Sequence, residues 1–419
     1  MRLYNTLSER AETFAPRPHQ PIGLYVCGIT PYDTTHLGHA FLYVSVDVLI
    51  RHLEAKGWPV RYVQNVTDID DDILRKAGET GEDWIELGNR WTRQFATDLM
   101  LLNVRPPDAY VRATDEIAAI VEMVAALVDR GMAYTSGGNV YFRVARDPEY
   151  GKLSRLGPDE MLPISAERGA NPDDPNKENT LDFILWQAQA PGEPAWDSPW
   201  GAGRPGWHIE CSAMSLRHLG QTVDIHGGGG DLIYPHHESE IAQSEAFTGR
   251  EPFARFWFHA AMLRYHGEKM SKSLGNMVFA RDLLKDHSAD ALRLALLNHH
   301  YRESWEFHDD DMQWAAALAE RLRLASHLGG GTARRSLSTV HTPPTDAHVA
   351  AFKAALDDDL DTPHAIAILN AMATDVLNTH GEADELRSLA GILGLRLDDP
   401  GQSPRVTDGW QAILARFGG

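Results

Sequence analysis

Two histidines three positions apart, His36 and His39, stand where a nucleotide phosphate could be bound. They follow a short apolar run, 22–27, that is typical of a buried parallel strand, and they open a helical stretch that Gly57 ends. A helix N-terminus at the carboxyl end of such a strand binds phosphate through backbone N–H groups and the helix dipole. Residues three apart share a helix face, so both imidazoles can reach one ligand.

A pair of lysines forms the second pattern. Lys269 and Lys272 alternate with Ser271 and Ser273 in a loop that has a glycine on each side. Such a loop can close two ammonium groups over a polyphosphate. A solvated surface loop is the alternative interpretation of the same residues.

A third pattern consists of potential metal ligands. The chain has two cysteines, Cys27 and Cys211, and both fall near strand ends that a parallel sheet would bring together. The other potential ligands are His236, His237, Glu238 and Glu240. His236 and Glu240 lie four apart, hence on one helix face. Two thiolates with an imidazole and a carboxylate suit Zn²⁺, whereas a buried thiol without metal is a small hydrophobic side chain.

The elements that must position these residues are those of an α/β protein. A strand, a helix and a strand between residues 22 and 66 predict a right-handed crossover in a parallel sheet. Residues 135–200 are rich in Asp, Pro and Gly and predict a less regular insertion, while helical stripes follow residue 305. We therefore expect a Rossmann-type parallel sheet from residues 1–110 and 200–305, a connective insertion at 111–199 and a C-terminal helical bundle at 306–419.

Composition excludes several classes of protein. The 419 residues carry 39 Lys and Arg against 59 Asp and Glu, a net charge of −20, which argues against broad nucleic-acid binding. No run of about 18 apolar residues and no apolar signal core are present, and two cysteines are too few for a disulfide scaffold. We expect a cytoplasmic protein with no membrane partner.

The two phosphate patterns resemble the HIGH and KMSKS signatures of class I aminoacyl-tRNA synthetases. Segments 25–30, 65–71, 203–211, 224–229 and 235–238 look like those of the cysteinyl-tRNA synthetase family. The resemblance implies that L-cysteine attacks ATP, bound with Mg²⁺, to give cysteinyl-adenylate and pyrophosphate. It covers most of residues 1–310.

The resemblance also implies roles for particular residues. The catalytic residues would be His36, His39, Lys269 and Lys272. One Zn²⁺ per chain would be held by Cys27, Cys211, His236 and, more distantly, Glu240, and would bind the substrate thiolate. Substrate and nucleotide would be bound by Gly28, Thr30, Asn65, Thr67, Trp207, Gly229, Gly230, Asp231, Ser271 and Ser273. Leu42 departs from the family, which often has Thr there.

Two branches of the family share this chemistry and differ in the acceptor of the cysteine. One charges tRNA, and the other, the mycothiol-pathway ligase, acylates the amine of glucosaminyl-inositol. Segments 27–40, 62–71 and 167–172 resemble the second branch, and the short tail at 393–419, which has no basic run, predicts that a full anticodon-binding domain is absent. Segments 237–243 and 272–276 resemble the tRNA synthetases, and an acidic residue at Glu240 is unusual in the second branch.

We therefore expect a monomeric glucosaminyl-inositol ligase, with tRNA charging or another amine acceptor as alternatives. A non-catalytic paralogue should have lost signature residues, but His36, His39, Lys269 and Lys272 are all present. A zinc-dependent hydrolase would leave the phosphate patterns unexplained, and the chain has no HExxH segment.

Overall fold

A computed structural model describes residues 1–32, 36–270, 275–328, 343–379, 382–399 and 407–418 of the chain. The strands are β1 Arg2–Asn5, β2 Arg10–Thr13, β3 Ile22–Ile29, β4 Val60–Val66, β5 Ala109–Arg112, β6 Ala133–Ser136, β7 Asn139–Phe142, β8 Phe183–Ala188, β9 Gly203–Pro205, β10 Val223–Gly229, β11 Ala254–Ala260, β12 Arg264–Tyr265 and β13 Glu268–Lys269. The helices are α1 Leu37–Ala55, α2 Asp71–Thr80, α3 Trp84–Leu101, α4 Ile117–Asp129, α5 Pro158–Glu167, α6 Trp207–Leu219, α7 Glu238–Thr248, α8 Ala280–Asp286, α9 Ala289–Leu297, α10 Asp309–His327, α11 Pro343–Asp357, α12 Thr362–Thr379, α13 Ala383–Ile392 and α14 Asp408–Arg416.

A five-stranded parallel sheet forms the centre of the molecule, in the order β11–β10–β3–β4–β5. From β3 the chain adds strands in one direction, and after the insertion it returns to add β10 and β11 in the other. The strand order thus reverses between β3 and β10, where a crevice opens at the carboxyl ends of the strands. The predicted Rossmann-type α/β fold is confirmed.

Strand β3 and helix α1 place the first histidine pair beside this crevice. β3 is apolar and buried along nearly its whole length, as a central parallel strand must be. α1 packs on the sheet with Phe41, Val44 and Leu49 fully buried in the main core. The helix begins at His36, whose ring nitrogen Nδ1 accepts a hydrogen bond from the backbone N–H of Gly38. The sequence therefore sets the start of the helix at the edge of the crevice.

The insertion contains a second sheet, in which β6, β7, β8 and β9 pair antiparallel. The expectation of a mostly irregular segment at 135–200 was wrong for this part. Phe142, Leu185 and Trp186 are buried in a core that the sheet shares with α4. Asp182, just before β8, connects the three strands β6, β7 and β8. Its carboxylate accepts hydrogen bonds from Tyr134 Oη on β6 and from the backbone N–H of Val144 after β7.

Helices α10 to α14 follow the sheet and confirm the predicted C-terminal helices. α10 buries Met312, Leu318 and Leu322, while Trp314 of the same helix is 43% exposed. The last helix, α14, packs near the loop between α3 and β5, where Trp410 Nε1 donates a hydrogen bond to the carbonyl of Val104 at 2.8 Å. None of the helices in the described ranges has the length and apolarity that a membrane crossing requires. The domain boundaries at 110, 200 and 305 stay predictions.

Candidate active site and metal centre

Four potential metal ligands meet at the carboxyl end of β3, beside the point where the strand order reverses. Cys27 is supplied by β3, Cys211 by α6, His236 by the turn that follows β10, and Glu240 by the first turn of α7. All four are buried, and one ligand atom from each lies within 4.8 Å of the others. The tertiary fold thus collects residues that are far apart in the sequence.

The separations of these atoms fit tetrahedral zinc. The two sulfur atoms lie 3.8 Å apart, and two Zn–S bonds of about 2.3 Å at the tetrahedral angle require about 3.8 Å. Cys27 Sγ lies 3.5 Å from Glu240 Oε1, and His236 Nε2 lies 3.0 Å from the same oxygen. The donor set of two thiols, an imidazole and a carboxylate is also the one that zinc prefers.

A second group of potential ligands overlaps the first. His226 Nε2 and His237 Nε2 lie 3.6 and 3.2 Å from Cys27 Sγ, and with Cys27 and Glu240 they form another set of four. The sequence analysis did not identify His226 as a potential metal ligand. The signal that could have found it is a histidine inside a short strand, directly before a run of glycines.

The electrostatics of the cluster favour metal binding. Burial opposes ionisation of Cys211, but the hydrogen bond with Cys27 and the charge of His236 bring the pKa of its thiol down to about 6. Burial also opposes protonation of His236, but the charges of Glu240 and Cys211 raise its pKa to about 10. Burial raises the pKa of Cys27 well above its usual range. One thiolate is thus favoured near neutral pH even before a cation stabilises it.

Further side chains fix the orientation of the rings. His208 Nδ1 lies 3.0 Å from His236 Nδ1, which leaves Nε2 of His236 facing Glu240. His237 Nδ1 lies 2.7 Å from His259 Nε2, and burial holds the pKa of both rings well below the usual range. The indole of Trp207 stacks on the ring of His236, with centroids 4.4 Å apart. Such contacts hold metal-ligating imidazoles in one orientation.

Next to the cluster lies a cavity of about 940 Å³, at the upper end of the range for small-molecule sites. The predicted binding and catalytic residues on its wall are Cys27, Gly28, Thr30, His36, His39, Trp207, Gly229 and Asp231. The insertion supplies the opposite wall with residues between Ser165 and Gln187. One cavity therefore joins the metal cluster, the start of α1 and the insertion.

The predicted histidine pair lies on the cavity wall at the start of α1. The rings of His36 and His39 lie against each other, with centroids 3.8 Å apart. Because Nδ1 of His36 accepts from the N–H of Gly38 at 3.1 Å, its Nε2 is the nitrogen that carries a proton. A neutral imidazole donor at a helix N-terminus suits an anionic ligand.

The remaining predicted residues lie beneath or beside the cavity. Asn65 and Thr67 are buried at the end of β4, and Asn65 Oδ1 accepts a hydrogen bond from the N–H of Gly28. A Cβ atom at Gly28 would lie 1.7 Å from the carbonyl oxygen of Asn65, so the close approach of β3 and β4 requires glycine. Gly230 begins the short turn that follows β10.

Part of the lysine loop cannot be placed. The backbone of Lys269 belongs to β13, which pairs with β12 in a short hairpin beyond the cavity. Ser271, Lys272 and Ser273, like the side chain of Lys269, lie outside the described part of the structure. Their assignment to ATP stays a prediction.

Comparison with known proteins identifies the family. Residues 13–317 match the model of the "tRNA synthetases class I (C) catalytic domain". A cysteine--tRNA ligase of Dehalococcoides mccartyi is 44% identical over 95% of this chain and 87% of its own length. An L-cysteine:1D-myo-inositol 2-amino-2-deoxy-alpha-D-glucopyranoside ligase of Thermomonospora curvata is 46% identical over 88% of this chain and 86% of its own.

The fold agrees with this assignment. Methionyl-tRNA synthetase of Mycobacterium tuberculosis, solved with methionyl-adenylate, superimposes with a TM-score of 0.65 over 90% of both chains at 16% identity. At that identity the likeness shows a shared architecture. The chain therefore belongs to the class I (C) tRNA synthetase family and is an ATP-dependent ligase of that family.

Proposed function

We propose that this ligase activates L-cysteine with Mg·ATP and transfers the cysteine to the amine of glucosaminyl-inositol, releasing pyrophosphate and AMP. The observation that carries the choice of cysteine is the buried cluster of Cys27, Cys211, His236 and Glu240 at one end of the nucleotide-sized cavity. A zinc ion bound there would ionise and hold the substrate thiol, a selection that the hydroxyl of serine cannot satisfy.

The protein's own residues would serve the adenylation step. His36 and His39 would donate hydrogen bonds to the phosphates from the start of α1. The indole of Trp207, stacked on His236, would cover the thiol end of the substrate. Lys269 and Lys272 would close over the polyphosphate, which stabilises charge as pyrophosphate leaves.

Glu240 is the ligand that can yield to a substrate thiolate. Its second oxygen, Oε2, lies 3.3 Å from His226 Nε2, which offers the carboxylate another partner inside the protein. Neighbouring His226 and His236 also hold the pKa of Glu240 well below its usual value, against the effect of burial, so the group is anionic. Three protein ligands would then remain, as in zinc sites that keep a position open for substrate.

Charge favours a small amine over tRNA as the acceptor. Residues 306–419, the helical part, carry 9 Lys and Arg against 17 Asp and Glu, a net charge of −8. Phosphodiester chains bind through Lys and Arg, so this part of the molecule would repel the body of a tRNA. A sugar amine carries no phosphate and can be cationic, so the same charge does not oppose it.

Charging of tRNA is the second candidate. It is favoured by Glu240, which lies in the ligand cluster although an acidic residue there is unusual in the sugar-amine branch. The relative named cysteine--tRNA ligase also matches 95% of this chain.

The test is cysteine-dependent AMP release with one acceptor at a time. We expect AMP and a cysteinyl amide with glucosaminyl-inositol, and no acid-precipitable cysteine with total tRNA. Charged tRNA without amide formation would replace the proposed acceptor with tRNA. Pyrophosphate exchange without either product would keep cysteine activation and reject both acceptors.

A further inference from the structure

Transfer of cysteine from the adenylate releases a proton. The acceptor nitrogen attacks the carbonyl carbon, a C–N bond forms, the bond from that carbon to the phosphate oxygen breaks, and AMP leaves with the electron pair. The nitrogen must lose one proton to give a neutral amide. A side chain within reach of the nitrogen can take that proton, and such assistance is worth roughly 10²- to 10⁴-fold in rate.

Most acidic side chains on the cavity wall already have partners. Asp182 accepts hydrogen bonds from Tyr134 and from two backbone N–H groups, one of them that of Val144. Asp231 pairs with Arg168, at 3.2 Å. Their carboxylates are held by the protein, so an incoming nucleophile would have to displace those partners.

Asp71 and Asp72, which follow Asp70, are also engaged. Asp71 bonds to Arg204, and Asp72 Oδ1 lies 2.8 Å from Arg75 Nη2 on the outer surface of α2. Their side chains are 76% and 47% exposed, so both carboxylates are well solvated. An exposed carboxylate that is already paired with a guanidinium is poorly placed to take a proton from a ligand in the cavity.

Asp70 differs from these residues. It lies on the wall of the same cavity as Trp207, three residues beyond Thr67 in the sequence. It is half-buried, and its Oδ1 accepts the hydrogen bond from the N–H of Asp72 that begins α2. Among the described residues, no hydrogen bond to Oδ2 of Asp70 is formed. This oxygen can therefore accept a proton without breaking a contact of the protein.

The surroundings of Asp70 make it a stronger base than a surface carboxylate. Burial, with Asp72 and Asp71 adding to it, raises its pKa to about 6, although the N–H of Asp72 and the charge of Arg204 act in the opposite direction. The charged and titratable groups that face it are Asp71 and Asp72 on its own helix, Tyr32 after β3, Arg204 on β9 and Glu210 on α6. At neutral pH Asp70 is ionised, yet it binds a proton more readily than an ordinary Asp.

We propose that Asp70 accepts the proton from the acceptor nucleophile in the transfer step. Oδ2 of Asp70 takes one proton from the attacking nitrogen as the C–N bond forms and AMP departs, and then releases it to solvent. This inference rests on the proposed amine acceptor. A tRNA hydroxyl would have to lose a proton at the same place, so the role of Asp70 can be tested with either acceptor.

The test separates the two half-reactions. In Asp70→Asn and Asp70→Ser the residue still begins α2, because Asn and Ser serve as N-caps as well as Asp does. We expect both variants to slow single-turnover transfer to glucosaminyl-inositol by about 100-fold more than they slow cysteine-dependent pyrophosphate exchange. Equal losses in both assays would overturn the proposal, because they would show that Asp70 acts on the site as a whole.

Two controls show whether slower transfer in the Asp70 variants comes from loss of the proton acceptor. Hydroxylamine is a strong nucleophile, and after attack its nitrogen is acidic enough to lose the proton directly to water. It should therefore capture the adenylate equally fast in both Asp70 variants and in the wild type. Loss of that reaction would contradict the proposal by showing a misplaced adenylate. Asp72→Asn removes only a neighbouring charge, so it should slow transfer far less than the Asp70 variants do. A matching defect there would overturn the proposal by assigning the effect to the local charge instead of to Asp70.

A wrong choice of acceptor can be distinguished from a wrong role for Asp70. If the wild-type protein transfers nothing to glucosaminyl-inositol, the acceptor is wrong, and the same variants are then compared with tRNA. Selective loss of transfer to tRNA in Asp70→Asn would still support the role of Asp70, and normal transfer would overturn it.

Discussion

Cys27 and Glu240 belong to both groups of potential metal ligands, whereas each histidine belongs to only one. His236 joins Cys211 in the first group, and His226 joins His237 in the second. The thiol of Cys211 has its pKa lowered to about 6, which favours the first group because thiolate is the form that binds metal. The histidines therefore allow the two groups to be distinguished.

At the residue scale, we expect His236→Ala to lose bound zinc and His226→Ala to retain it. Removing a direct ligand should weaken zinc binding by more than the 10- to 100-fold typical of a supporting contact. The measurement is the ratio of zinc to protein by elemental analysis after dialysis, with folding checked by circular dichroism. Zinc lost from His226→Ala alone would place the ion in the second group.

How far these residues could be predicted from the sequence depends on how rare their types are. Cys27 and Cys211 were identified because they are the only two cysteines in a long chain. Both were expected near strand ends, which is right for Cys27 on β3 and wrong for Cys211, which lies within α6. Histidines are numerous, with 20 in the sequence, and spacing alone does not show which of them point inward. His208 and His259 reach the cluster through α6 and β11, contacts that only the tertiary fold creates.

At the scale of elements, a buried ion pair connects α1, the helix that begins at His36, with α9, the second helix after the lysine loop. Arg293 of α9 and Asp47 of α1 are both fully buried, with Nη2 and Oδ2 2.6 Å apart. The same guanidinium donates to the carbonyls of Leu102 and Leu393 at 2.9 Å each. Three separate segments thus depend on one side chain.

We expect Arg293→Met to destabilise the protein by about 3–5 kcal/mol. The change removes one of the two guanidinium partners of the buried Asp47, leaving Arg51, and it also leaves the carbonyls of Leu102 and Leu393 without their donor. Lys285→Met is the control, since Lys285 forms a largely exposed pair with Asp282 and its loss should cost less than about 1 kcal/mol. Urea unfolding of both variants gives the two free energies. Equal stabilities would show that the buried pair contributes no more than a surface one.

The elements that were predicted well are those with a strong local pattern. β3, α1 and β4 were expected close to their observed bounds, since apolar runs and Gly57 mark them. The sheet of the insertion was missed because β6 and β7 have only four residues each. Its stability comes from partners distant in the chain, such as Asp182 with Tyr134, and such pairing leaves no periodic signal.

At the scale of the whole molecule, an acidic run between α11 and α12 connects the C-terminal helices to the sheet. Asp357 accepts hydrogen bonds from His52 and Lys56 of the α1 region. Asp359 is buried and accepts from Tyr301 Oη at 2.7 Å and from Arg302 Nε at 2.6 Å. The sequence suggested a solvated face or a helix start for this run. Asp361 does lie at the start of α12, where its Oδ1 accepts a hydrogen bond from the N–H of His364. The three residues Asp357, Asp358 and Asp359 have partners far away in the chain.

We expect Asp359→Asn to lower the free energy of unfolding by about 1.5–3 kcal/mol, because a charge-assisted hydrogen bond to Arg302 is lost. Asp358→Asn is the matched control, since Asp358 is 67% exposed and pairs with Arg2, itself 60% exposed. Thermal unfolding monitored by tryptophan fluorescence compares the two. A loss of similar size in both variants would show that the junction depends on total charge.

Tyr43 connects α1 to β3 through a hydrogen bond. Its hydroxyl donates a hydrogen bond to the carbonyl of Cys27 at 2.8 Å, so the helix that begins at His36 cannot slide along the strand that carries the metal ligand. Under the proposed roles, the metal cluster holds the thiol of the activated amino acid, and the start of α1 holds its phosphate end. The distance between these two binding points is fixed, so it selects substrates by their length. Homocysteine has the same thiol but one more carbon–carbon bond of about 1.5 Å. The fixed distance can exclude homocysteine, whereas the affinity of a metal for sulfur cannot distinguish the two thiols.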